Sequence, residues 1–169
     1  MRLYVMRHAE AEPRGSAGIS SDSKRPLTEE GQRQARRVAE GLKRLRVHVD
    51  LIVTSPYLRA VQTAEAVARV LGVRTRIHKL LELRSETAPA DTSLALRAFA
   101  EEQLLCVGHE PHLSAWIAEL VAGDGGMRCL MKKGGVASIE LERVPPPRGS
   151  GTLRWLMMPK HLALISHDP

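Results

Sequence analysis

Short apolar runs alternate along this chain with longer segments whose apolar residues recur at helical spacing. Runs at residues 3–6, 51–53 and 104–108 predict buried strands. The periodic segments between and after them predict helices that begin near Thr28, Ser55, Asp91 and Pro111. Strands that alternate with helices imply βαβ units, in which a mostly parallel sheet carries helices on both faces.

Local signals predict where several of these elements begin and end. Thr28 is a good N-cap for a helix that runs to about Arg46, and the acidic residues after it suit a helix start. Ser55 as a cap, with Pro56 in the first position, predicts the start of the second helix. Residues 10–26 predict an exposed loop, and residues 73–77 predict a short strand.

The last third of the chain predicts an antiparallel addition to the sheet. Residues 136–141 and 152–156 predict two strands of a hairpin at one end of the sheet. We expect the C-terminal residues after about 160 to be frayed. We therefore expect residues 1–169 to form a single domain of the α/β class, a three-layer αβα sandwich with a mostly parallel sheet and an antiparallel hairpin at one end.

Composition narrows the function classes. With 43% hydrophobic residues the chain can bury a core, and no segment predicts a membrane span or a signal peptide. Cys106 and Cys129 have neither a disulfide framework nor a zinc-binding spacing, so we expect a cytoplasmic protein. The net charge of +6 with 3% aromatic residues favours phosphorylated or acidic partners, and we do not expect nucleic acid to be one.

Polar residues follow each of the three predicted parallel strands. Arg7 and His8 follow the first, Arg59 lies within one turn after the second, and His109 follows the third. Because ligands of open parallel sheets bind beyond the carboxyl ends of the strands, we expect these four side chains to meet in one pocket. Two arginine forks there favour a phosphoryl group. One of the two histidines can act as a nucleophile without a metal or cofactor, while the other neutralises developing charge.

Ordered motifs around these residues resemble a known family. They are Arg7-His8-Ala9, Pro26-Leu27-Thr28-Glu29-Glu30-Gly31, Ser55-Pro56-Tyr57-Leu58-Arg59-Ala60 with Gln62-Thr63-Ala64, and Val107-Gly108-His109-Glu110-Pro111. Over roughly residues 1–160 the chain resembles the histidine phosphatase superfamily, which has the phosphoglycerate mutase-like fold, and within it the SixA-type phosphohistidine phosphatases. The resemblance implies that His8 is the nucleophile and that Arg7, Arg59 and His109 bind the phosphoryl group. Ala9 stands where the family usually has glycine; if that backbone needs a positive φ, alanine costs on the order of 1 kcal/mol.

Two further residues near the predicted pocket need an assignment. Glu82 lies where relatives acting on alcohol phosphates are expected to hold a general acid. A phosphohistidine substrate instead has imidazole as its leaving group, which has a pKa of about 6.5 and leaves without strong acid catalysis. Glu82 is therefore assigned only a helper role, such as orienting water. His112 lies in the first turn of the predicted fourth helix, and we expect it on the surface of that helix.

The function that follows is a metal-independent phosphatase that hydrolyses phosphohistidine on a phosphotransfer or signalling protein through a covalent intermediate on His8. A chain without a large insertion leaves the pocket shallow, which suits a protein-borne substrate. Two alternatives stay open. One is a phosphatase for small phosphate esters or anhydrides, such as nucleotides or sugar phosphates. The other is a non-catalytic module that binds phosphoproteins or nucleic acid.

Overall fold

A computed structural model describes residues 1–73, 77–123 and 126–166 of the chain. Within these residues six strands form one sheet in the order β3-β2-β4-β1-β5-β6. The strands are β1 (Arg2–Arg7), β2 (Leu51–Thr54), β3 (His78–Lys79), β4 (Gln103–Gly108), β5 (Val136–Glu140) and β6 (Thr152–Met157). Strands β3, β2, β4 and β1 are parallel, whereas β5 pairs antiparallel with β1, and β6 pairs antiparallel with β5. The predicted α/β sandwich with a terminal hairpin is confirmed.

Helices cover both faces of this sheet. They are α1 (Glu29–Arg44), α2 (Leu58–Leu71), α3 (Pro89–Ala95), α4 (His112–Ala122) and α5 (Pro159–Ser166). Helices α1, α2 and α5 pack together on one face, and α3 and α4 pack on the other. None of the helices within the described residues is long and apolar enough to cross a membrane.

The alternation of side chains along β1 divides the core into two layers. Leu3 and Val5 pack into the layer beneath α3 and α4. Tyr4 and Met6 pack into the layer beneath the other three helices. Strand β1 is apolar on both faces because helices cover both faces of the sheet. This explains the continuous run of apolar residues in its sequence.

The start of α1 is held by two local features. The Thr28 hydroxyl accepts a hydrogen bond from the Gly31 N–H at 2.9 Å, which confirms the predicted N-cap. The Thr28 N–H in turn donates to the Glu10 carbonyl at 3.1 Å. Gly31 lets that carbonyl come close, since a Cβ built on it would lie 1.9 Å from the Glu10 oxygen. The helix start is thereby packed against the segment that follows His8.

Three predicted boundaries are wrong. Helix α2 begins at Leu58 with Tyr57 as its N-cap, so Ser55 does not cap it. The short strand expected at residues 73–77 lies instead at His78–Lys79, where it pairs with β2; residues 74–76 are outside the described residues. The end expected to fray carries α5, whose Leu162 is fully buried against α1.

We predict that Gly31→Ala lowers the free energy of unfolding by about 1–3 kcal/mol, because the new methyl group overlaps the Glu10 carbonyl. Helix propensity alone would change stability in the opposite direction. Urea unfolding of both variants measures the difference, with Gln32→Ala as the control because Gln32 is the exposed neighbour in α1. A Gly31→Ala variant as stable as the wild type would contradict the close approach.

Candidate active site

The sheet register brings the predicted site residues to one edge. Arg7 pairs with Gly108 across β1 and β4, and Thr54 pairs with Val107 across β2 and β4. The residues that follow these strand ends include His8 and His109, which are only 6% and 2% exposed. Their ring centroids are 5.1 Å apart. Convergence of side chains separated by a hundred residues follows from this parallel pairing.

Hydrogen bonding defines the protonation state of His8. Its Nδ1 lies 2.6 Å from the carbonyl oxygen of Ala9, so this nitrogen carries the proton and donates it. The lone pair is then on Nε2, and the Nε–H of Arg59 donates to that atom at 3.3 Å. Burial, and then the charges of Arg59, Arg7 and Lys133, lower the pKa of His8 to about 3, despite the opposing effect of the Ala9 bond. The imidazole is therefore neutral at physiological pH.

His109 has the complementary arrangement. Its Nε2 lies 2.8 Å from the Ser55 hydroxyl, which also accepts a hydrogen bond from the Tyr57 N–H at 3.4 Å. Because a hydroxyl has one proton and two lone pairs, Ser55 can donate to Nε2 or accept from it; in the tautomer in which Ser55 donates, Nδ1 carries the ring proton. Burial chiefly lowers the pKa of His109 to about 2. Within the part of the chain that the structure describes, Nδ1 is buried without a hydrogen-bond partner.

The two arginines differ in how they are held. Arg7 donates from one terminal nitrogen to the Met131 carbonyl at 2.8 Å, while its buried Nε has no partner among the described residues. Burial lowers the pKa of Arg7, and the nearby charge of Glu110 acts against that shift. Arg59 is buried and lies against the ring of Tyr57, 5.0 Å from its centroid. Both are fork-shaped cations beside His8.

Asp22 is a site residue that the sequence interpretation missed. Its carbonyl and carboxylate accept hydrogen bonds from both terminal nitrogens of Arg59, at 2.7 and 3.0 Å. The same carboxylate pairs with Arg25 at 2.9 Å and Arg14 at 3.1 Å. Burial by itself raises the pKa of Asp22, but the charges of Arg59 and Arg25 outweigh it and the pKa lies below its usual value. One signal was available, because Asp22 is the single acidic residue between Arg14 and Arg25.

The Gln62-Thr63 motif connects the strand end to α2. The Ala9 N–H donates to the Thr63 hydroxyl at 3.1 Å, and that hydroxyl donates to the Arg59 carbonyl at 2.7 Å. The Gln62 side-chain oxygen accepts the Leu27 N–H at 2.7 Å. Thr63 thus ties the His8 segment to the backbone that carries Arg59.

Ala9 is accommodated without backbone strain. Among the described non-glycine residues a positive φ occurs at Arg46 alone, at 56°, so Ala9 does not adopt the left-handed region. Its side chain is fully buried beside Ala11 and Leu27. The cost considered for alanine at this position therefore does not arise.

Glu82 stands apart from the four converging residues. It lies in a short 3₁₀ turn over Leu81–Leu83, is half-buried, and lines a cavity of about 430 Å³ whose lining includes neither histidine of the site. Its carbonyl accepts a 2.6 Å hydrogen bond from the Thr92 hydroxyl. The helper role of Glu82 stays a prediction.

The prediction that His112 lies on a helix surface is wrong. His112 is buried, with Nε2 at 3.0 Å from the Thr92 hydroxyl and Nδ1 at 2.9 Å from the Thr87 carbonyl. Its ring stacks on Trp116 at a centroid distance of 6.1 Å. The side chain therefore anchors the segment before α3 to α4.

A cavity of about 490 Å³ lies beside Asp22 and Tyr57, and the exposed side chain of Arg14 contributes to its wall. Its lining includes none of the four converging residues, but Asp22 and Tyr57 both contact Arg59. A larger cavity of about 650 Å³ is at the opposite end of β1, where Met1, Arg2 and Tyr4 line it. No cluster of three or more His, Cys, Asp or Glu side chains in the described ranges is arranged to hold a metal ion.

Comparison with known proteins gives consistent matches. The sequence profile of the histidine phosphatase superfamily (branch 1) matches residues 3–85. Phosphohistidine phosphatase SixA of Escherichia coli K12 is 31% identical over 167 residues, covering 97% of this chain and 98% of that protein. An uncharacterized protein of Picosynechococcus is 35% identical over 141 residues, covering 82% of this chain and 84% of that protein.

Structural comparison agrees. The structure of the protein histidine phosphatase SixA complexed with tungstate superposes with a TM-score of 0.82 at 32% identity, covering 96% of this chain and 99% of that one. The fold, the ordered motifs and the near full-length identity lead to one assignment. The chain belongs to the histidine phosphatase superfamily, in its SixA-type branch.

Proposed function

We propose that this protein is a metal-independent phosphatase that hydrolyses phosphohistidine on a phosphotransfer or signalling protein through a covalent intermediate on His8. The observation that carries the proposal is the state of His8: a neutral ring whose Nδ1 proton is held by Ala9 and whose Nε2 lone pair lies beside Arg59. A neutral imidazole with its lone pair on Nε2 is the form that attacks phosphorus. The structure of a SixA relative complexed with tungstate, a tetrahedral oxyanion, supports an oxyanion as the class of ligand.

In the first half-reaction His8 Nε2 attacks the phosphorus atom. The P–N bond to the substrate imidazole breaks as the P–N bond to His8 forms, and the leaving nitrogen takes a proton from solvent. The Nδ1–H of His8 stays on the Ala9 carbonyl throughout, which keeps the ring oriented. An imidazole leaving group needs no strong general acid.

Three neighbouring groups stabilise charge on the phosphoryl oxygens. Arg59 offers the Nε–H that lies 3.3 Å from His8 Nε2 in the free protein. Arg7 offers its unpartnered Nε, and His109 offers Nδ1, which is also unpartnered and donates in the tautomer that carries the ring proton there. The Arg7 and His109 nitrogens have no partner to leave among the described residues, whereas the Arg59 Nε–H must first leave His8 Nε2, a change that also frees the lone pair for attack.

In the second half-reaction water attacks the phosphorus atom of phosphorylated His8. The P–N bond breaks, inorganic phosphate leaves, and the proton that the water loses returns to solvent, which regenerates neutral His8. Glu82 is assigned a helper role in orienting that water.

The cavity beside the site supports a protein-borne substrate. It is bounded by surface side chains such as Arg14 and by Asp22, which contacts Arg59, so a phosphohistidine that projects from another protein can approach the site along it. The name of the Escherichia coli relative supports the same substrate class. Cys106 and Cys129 are both free thiols, which supports a cytoplasmic location.

We predict that brief incubation with acetyl phosphate gives the wild type an acid-labile, alkali-stable phosphoryl label that His8→Ala lacks, because that variant has no nucleophile. His48→Ala is the matched control, since the His48 side chain is 71% exposed and distant from the chemistry. Circular dichroism checks that both variants fold. Equal labelling of His8→Ala would refute His8 as the nucleophile.

The lowered pKa of His8 predicts the pH dependence of labelling. A histidine with a pKa near 6.5 would lose about 30-fold in its neutral fraction between pH 8 and pH 5. Because the pKa of His8 is about 3, the ring stays neutral over that whole interval and the labelling rate stays nearly constant. Rapid-quench labelling at fixed ionic strength measures this rate. A titration with an apparent pKa near 6.5 would contradict the neutral, buried state.

Substrate competition distinguishes the possible functions. A phosphorylated phosphotransfer domain is expected to have a higher kcat/KM than a sugar phosphate, a nucleotide or p-nitrophenyl phosphate, because a protein can also contact the exposed side chains around the cavity beside Asp22. Faster turnover of a small ester would favour an ester phosphatase. Salt-dependent DNA binding without any turnover would instead favour a non-catalytic module.

A further inference from the structure

The turn that precedes β5 is fixed to the strand end that carries His8. The Gly134 N–H donates to the carbonyl oxygens of both Arg7 and His8 at 3.1 Å, and the Arg7 N–H donates to the Gly135 carbonyl at 3.1 Å. The Arg7 guanidinium adds its 2.8 Å bond to the Met131 carbonyl. Residues 131–135 are therefore held in a defined position relative to the proposed nucleophile.

Lys133 lies in this turn and none of the family motifs includes it. Its side chain is 41% exposed, and its Nζ lies 3.7 Å from an Oε1 of Glu10, which is 47% exposed and two residues after His8. The charge of Lys133 also acts on the His8 ring. The Lys133 side chain is partly exposed and makes one long ion pair, so its flexible aliphatic chain allows the ammonium group to exchange Glu10 for another anion.

The order of the strands puts this lysine on a different side of His8 from the other cations. Arg59 and His109 follow β2 and β4, which lie on one side of β1. The turn with Lys133 leads into β5, which pairs with β1 on its other side. A phosphoryl group on His8 would thus have Arg59 and His109 on the β4 side and Lys133 on the β5 side.

We propose that Lys133 is a phosphoryl-binding residue, whose ammonium group leaves Glu10 and pairs with a phosphoryl oxygen when the oxyanion enters the site. Glu10 is then the partner of Lys133 in the free protein and a competitor of the ligand. This inference rests on the proposed function, since it assumes that a phosphoryl group binds at His8.

Binding of inorganic phosphate tests the assignment without turnover. Titration calorimetry at constant ionic strength compares the wild type with four variants. Lys133→Met is expected to weaken phosphate binding about fivefold or more through loss of a charge-assisted contact. Lys132→Met, which removes the same charge from the exposed neighbour, is expected to change it less than twofold.

Two more variants separate contact from a structural role. Lys133→Arg is expected to retain most of the affinity, because it keeps the charge at the same place in the turn. Glu10→Gln is expected to tighten phosphate binding, because it removes the competing carboxylate while its backbone bonds to Thr28 and Gln34 remain. A residue that only supported the fold would not produce this opposite change.

The outcomes distinguish the two proposals. Equal losses for Lys133→Met and Lys132→Met, or weaker binding by Glu10→Gln, would overturn the role of Lys133 while leaving the function intact. A loss that Lys133→Met shows only towards a phosphorylated protein, with unchanged phosphate affinity, would also overturn it. Wild-type protein that neither binds phosphate nor labels His8 would overturn both proposals.

Discussion

The hydrogen bond from His8 Nδ1 to the carbonyl of its own neighbour, Ala9, is the contact on which the proposed chemistry depends. This bond keeps the single ring proton on Nδ1, so that Nε2 carries the lone pair beside Arg59. Burial and nearby positive charges keep the ring neutral, since an imidazolium among arginines would be desolvated and repelled. In the proposed mechanism, the same environment that attracts a phosphoryl group therefore also keeps His8 in its reactive form.

That contact is in turn held by the surrounding fold. The Ala9 N–H bonds to Thr63 in α2, the His8 carbonyl accepts from Gly134, and the His8 N–H donates to the Gly108 carbonyl at 3.0 Å. Three separate parts of the chain thereby fix one short segment. The proposed nucleophile, fixed in this way, loses little entropy when substrate binds.

Carboxylates balance the cations of the site in the free protein. Asp22 covers the terminal nitrogens of Arg59, Glu110 lies near Arg7, and Glu10 pairs with Lys133. A buried guanidinium without a partner is costly, so these counter-charges stabilise the pocket until an oxyanion enters. They explain how a strongly basic site is compatible with a stable fold.

The sequence by itself determined the three buried parallel strands β1, β2 and β4, the capped helix α1, the terminal hairpin and the four residues that converge, because apolar periodicity, capping and strand-end chemistry are local signals. Only the tertiary structure decided that Ser55 bonds to His109 rather than capping α2, that His112 is buried, and that α5 packs on α1. It also decided that Asp22 and Lys133 lie beside the site. Those outcomes depend on which segments meet after folding, and contacts between residues far apart in the chain leave no periodic trace in the sequence.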